Sequence, residues 1–162
     1  MLVEKVIHLM NRAAFGLSYQ EANEVESLDK LVHHLIWEST PKLLNTALPS
    51  VDTLQKKPAS KKKRAEMRKD MIRRVTEVNQ LWFDQMIATK QPLIEKMTLF
   101  WTNHFVVDHK TPLSALPYNN LLRSHALGNF RELTNAIAKS ASMINYLHLR
   151  ENNKSAPNED FA

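Results

Sequence analysis

Only two glycines, Gly16 and Gly128, occur in 162 residues. A β-rich chain of this length needs many tight turns, and tight turns recruit glycine for positive φ. Their scarcity argues against strands and for helices. Prolines supply the punctuation instead, and they leave residues 60–89 free of both residue types. Within that stretch Met67, Met71, Val75, Val78, Trp82 and Met86 recur at three- or four-residue spacing. The period predicts one helix of roughly 30 residues, about 45 Å long. Its first half is basic and is expected to project; its second half is apolar and is expected to pack.

Shorter helices flank this one. Leu2, Val3, Val6, Ile7 and Met10 form an apolar stripe ending before Gly16. Glu4 and His8 lie inside that stripe, so the opening reads as an amphipathic helix and not as a secretion signal. Ser18 and Glu21 match a capping box. Ser27 can cap a third helix through Leu28, Leu31, Val32, Leu35 and Ile36, which Thr40-Pro41 stops. Residues 41–59, with Pro41, Pro49 and Pro58, read as a connection. Pro92 suits the first turn of a helix containing Ile94, Met97, Leu99, Phe100, Trp101, His104 and Phe105. Pro112 and Pro117 predict a loop, followed by a helix from Tyr118 to Leu127 that Gly128 stops. Two more helices are expected, over Phe130–Lys139 and Met143–Leu149. Asn158 can cap a new start, with Glu159 and Asp160 in its first turn.

The length fits one domain with a core of its own. A hydrophobic content of 43% excludes global disorder. The chain has no cysteine, which removes disulfides, thiolate metal sites and cysteine nucleophiles. No apolar run approaches the roughly 18–20 residues of a membrane-spanning helix. The net charge of +5 is unevenly placed: residues 56–74 hold ten Lys or Arg against Glu66 and Asp70. The remainder is slightly acidic. Lys61, Lys62, Lys63, Arg64 and Arg68 are therefore candidate contacts for an anionic polymer or surface, since clustered cations release counterions when they meet phosphates or sulfates. The run lacks the interleaved aromatics that stack on nucleic-acid bases. A solvated helix face is the competing reading.

The densest chemistry lies in FWTNHF, residues 100–105, followed by Asp108 and His109. On a continuing helix His104 and Asp108 would share a face. A histidine beside a carboxylate can act as general acid and base. With His109 the same groups have the donor chemistry of a divalent-metal site, but no ligand set or cofactor is assigned. The competing reading is an aromatic packing helix with one hydrogen-bonded histidine. Elsewhere, Arg123 near a helix end complements the helix dipole, and Asn129 can cap the next helix. Arg12, one turn beyond His8, is expected to be buried against carboxylates. His33 and His34 diverge by about 100° and cannot ligate one metal from one face.

Four stretches, in order, carry a family resemblance. HLMNRAAFG, FWTNHF, RSHALGNFRELTNAIAKSASMINYL and PNEDFA resemble motifs of a bacterial family known as domain of unknown function 1800. Asp160 departs from the asparagine common in the last motif, and the basic run is not a shared feature. The resemblance implies a helical bacterial protein and no particular reaction. It also implies an N-terminal portion of a longer chain, with the remainder as a partner and a periplasmic or surface location. In the resembling family the PNEDFA motif would bring Glu159 to His104 and complete a polar site.

The expected fold is all-α, an irregular array of seven or eight helices with the long one near residues 60–89. Two function classes stay open. One is an enzyme with His104, Asp108 and Glu159 at its site; the other is a helical binding or scaffold module using the basic helix.

Overall fold

The computed structural model describes residues 2–50, 60–155 and 157. They form eight α-helices and no β-strand. The helices are α1 (Leu2–Ala13), α2 (Tyr19–Glu24), α3 (Leu28–Trp37), α4 (Lys61–Ala88), α5 (Pro92–His104), α6 (Pro112–Ser124), α7 (Phe130–Ala138) and α8 (Ala141–Tyr146). A 3-10 turn, Leu149–Glu151, follows. The all-α fold and the long helix agree with the sequence reading.

Local chemistry sets most boundaries. Ser18 and Glu21 form the reciprocal capping box at α2. Ser27, Ser60 and Ser140 accept from the backbone amides of Lys30, Lys63 and Met143 at the starts of α3, α4 and α8. Asn129 accepts from the amides of Arg131 and Glu132 at α7. Each cap satisfies donors that the first helical turn leaves orphaned. Gly16 adopts φ 107°, the conformation that favours glycine after α1.

Some boundaries differ from expectation. The helix predicted to begin at Tyr118 begins at Pro112, and Pro117 lies inside it. Pro112 occupies the first turn, where its missing N–H costs nothing. Pro117 removes only the bond to the Leu113 carbonyl, and its ring faces solvent. The face opposite, with Ala115, Leu116, Tyr118 and Leu122 buried, holds the segment helical. Gly128 also differs: α6 ends at Ser124, and Gly128 closes a later turn by donating to the His125 carbonyl at 3.0 Å.

Three apolar clusters make the core. Val6, Met10, Ala14, Ala22 and Leu35 join α1, α2 and α3, with Leu93 of α5 packed on them. Tyr118, Leu122, Leu133, Ile137 and Met143 join α6, α7 and α8. Leu44, Val78, Ala115 and Leu116 join α4 and α6 to the segment after α3. That segment has no helix over residues 41–50, yet it is pinned: Asn120 donates to the Leu44 carbonyl and accepts from the Leu44 amide, both at 2.8 Å.

Candidate functional site

Helix α4 divides into two chemically different halves. In its C-terminal half Val78 is buried among Leu44, Ala115 and Leu116, with Trp82 packed alongside. The Trp82 indole donates to Glu95 Oε2 at 2.9 Å, tying α4 to α5. The middle is neutralised internally: Asp70 pairs with Arg73 and Arg74, and Arg73 also pairs with Glu77. Hydrogen bonds from Arg74 and then Arg73 hold the Asp70 carboxyl below the usual carboxylate range.

The N-terminal half is different. From Lys61 to Lys69 every residue except Met67 is exposed. Lys61, Lys62, Lys63 and Arg64 are the first four residues of the helix, and no acid stands in that first turn. Among the described residues, none of these four, nor Arg68 or Lys69, has a carboxylate partner. All five cations singled out from the sequence thus sit together on an exposed helical segment. The arrangement opposes the helix dipole, which favours anions at this end, and sets like charges one turn apart.

Beneath α4 lies a buried polar network. The side chains of Arg123 and Glu95 are 0% and 2% exposed. Arg123 Nε and Nη2 donate to the two Glu95 oxygens at 3.0 and 2.9 Å. Arg123 Nη1 donates to Asn119 and Asn120 at 2.6 and 3.0 Å. The network runs from Trp82 through Glu95, Arg123 and Asn120 to the backbone of Leu44. It joins four segments and leaves no guanidinium nitrogen unpaired, so its role is structural. Sequence reading placed such a buried arginine at residue 12, but Arg12 and His8 are exposed. The missed partner is Glu95. Its signal was a lone carboxylate flanked by Leu93, Ile94 and Thr98, on the face that α6 covers.

The aromatic helix is mainly a packing element. Trp101 lies 5.8 Å from Phe105 and 5.7 Å from Phe130 between ring centroids. Its indole donates to the Ala126 carbonyl at 3.1 Å. His104 is exposed, with its ring 4.7 Å from Phe105 and 6.2 Å from Phe100. Helix α5 ends at His104, so Asp108 does not continue the same helical face. Asp108 is exposed and pairs with Lys110 at 3.7 Å. No hydrogen bond joins His104 to Asp108 among the described residues. Glu159, the third member of the expected site, lies outside them. Among the described residues no group of three or more His, Asp or Glu side chains could hold a metal ion. His33 and His34, expected to diverge, both reach Glu38, at 3.3 and 2.8 Å. His125 places Nδ1 3.0 Å from the Leu121 carbonyl at the end of α6.

His109 stands apart. Its Nδ1 is buried without a hydrogen-bond partner among the described residues. Its ring lies 5.3 Å from that of Tyr118. Burial lowers its pKa from 6.5, partly opposed by Asp108. The fold therefore favours the neutral imidazole. As pH falls below about 6.5 the unfolded chain takes up the proton first, and stability is lost. Thermal melts between about pH 7.5 and 5.5 should show a falling Tm, with a shallower fall in His109→Phe. Equal slopes would place the dependence on other groups.

A family model described as a protein of unknown function (DUF1800) matches residues 8–162. No curated protein and no solved structure matches the chain.

Proposed function

The chain belongs to this DUF1800 family of unknown function, and from that premise we propose that it is a helical binding module whose basic end of α4 engages an anionic partner. One observation carries the reading: six exposed cations between Lys61 and Lys69 stand unpaired among the described residues. Four of them occupy the first turn of a helix, where each costs a few tenths of a kcal/mol against the dipole and against its neighbours. A merely solvated face has no reason to concentrate its charge where it weakens the helix. An anionic ligand removes both penalties at once. Local rules broken without an internal compensation are the places to look for function.

Heparin retention under a salt gradient tests this. The wild-type protein should be retained and elute earlier as salt rises, because ion release drives the contact. The variant K61E/K62E/K63E/R64E should pass through unretained. The reversal places acids in the first turn of α4, where they complement the helix dipole, and an unchanged circular dichroism spectrum of the variant separates a lost contact from unfolding. Unchanged elution of the variant would defeat the proposal.

A further inference from the structure

The exposed face of α4 is not only basic. Ile72, Phe83 and Ile87 are 56%, 59% and 70% exposed. At about 100° per residue the three fall within about 60° of one another. The buried Met71 and Val78 point away from them, to the core side. Lys61, Lys62, Arg68 and Lys69 project on or beside the same stripe, within about 80° of Ile72. One face of one helix therefore carries cations at its N-terminal end and large apolar side chains towards its C-terminal end, over about 40 Å.

Phe83 and Ile87 also form one wall of a groove of 690 Å³, whose other walls include Phe15, Leu17, Pro92 and Leu99. Phe15 is 45% exposed. A soluble polyanion would use the cations and leave this apolar surface wet. A bilayer surface uses both: anionic headgroups meet the lysines and arginines, and the apolar side chains enter the headgroup–acyl boundary. No described helix is long and apolar enough to cross a membrane, so the contact this face can make lies along the surface.

We infer that the anionic partner of α4 is a phospholipid bilayer, held by Lys61, Lys62, Arg68 and Lys69 electrostatically and by Ile72, Phe83 and Ile87 through apolar insertion. The inference rests on the binding role proposed above and narrows it to one occupant. It is supported by the charge complementarity and by the shared face, neither of which a nucleic acid or acidic glycan would require in this combination.

Co-sedimentation with phosphatidylcholine vesicles, pure or mixed about three to one with phosphatidylglycerol, tests it. Binding should need the anionic lipid. The variant I72Q/F83Q/I87Q replaces exposed residues with a good helix former, so circular dichroism should be unchanged. It should lose at least about tenfold in affinity for the mixed vesicles while keeping its heparin retention. The charge-reversal variant should lose both. Full vesicle affinity in the glutamine variant would overturn the inference, leaving a purely electrostatic contact. Retention on heparin or duplex DNA without vesicle binding would also overturn it, while sparing the broader proposal. Failure of wild type on every anionic support would sink both.

Discussion

Truncating Arg123 to alanine should lower the free energy of unfolding by about 3–5 kcal/mol, in the range for removing one partner of a buried ion pair. The Glu95 carboxylate would remain enclosed, and among the described residues only the Trp82 indole would still donate to it. Asn119 and Asn120 would lose the guanidinium as well. Arg123→Lys should recover only part of the loss, because an ammonium cannot reproduce the fork that meets both Glu95 oxygens and the two amides. The double variant E95Q/R123M should be less damaged than the sum of its parts, since neither charge is then stranded. Urea denaturation followed by circular dichroism gives the values. A loss below about 1 kcal/mol for Arg123→Ala would mean that Glu95 finds water or another donor, and that the network is dispensable.

The same network shows where sequence reading stops. Helices α1 to α5 follow from short-range signals: apolar residues every three or four positions, a serine at the starts of α2, α3 and α4, Pro92 in the first turn of α5, and a proline a few residues after α3, α4 and α5. Such signals are complete within one turn or two, so Ser18 with Glu21, Ser27 and Asn129 could be read directly. Helix α6 could not, because proline rules are local averages. Here the buried face of Ala115, Leu116, Tyr118 and Leu122 outweighs the one bond that Pro117 removes. Glu95 and Arg123 stand 28 residues apart, and nothing in either neighbourhood names the other. The role of a buried, helix-joining arginine was recognisable as a need of this fold; its position at Arg123 in place of Arg12 is a tertiary fact. His104 and Asp108 show the converse. Their spacing implies a shared face only on a continuing helix, and α5 ends at His104. The basic run was legible because charge density needs no tertiary knowledge. The apolar stripe beside it was not: Ile72, Phe83 and Ile87 look like core residues until the side of α4 that packs is known.

Leu122→Ala should cost about 3–4 kcal/mol, in the upper part of the range for such truncations. The side chain is fully buried among Tyr118, Leu133, Ile137 and Met143. The cost depends on how far the surroundings can collapse into the space left behind. Here the walls are tied. The Tyr118 hydroxyl donates to the Phe105 carbonyl at 2.7 Å, and burial pushes its pKa up to about 12. Trp101 is tied to the Ala126 carbonyl, and Ser142 donates to the Ser114 carbonyl at 3.2 Å. Arg123, the next residue along α6, is fixed by the ion pair. Closing the cavity would break one of these bonds, so most of it should stay open. Met71 offers the comparison. It is buried at the edge where α4 leaves the core, 8% exposed, and the turns before it, Lys61 to Lys69, are exposed at every residue except Met67. Met71→Ala should therefore cost about 2 kcal/mol, near the lower limit for its class. Chemical denaturation of both variants sets the order, and a Met71→Ala loss equal to or larger than that of Leu122→Ala would show that the tied walls do not govern the cost.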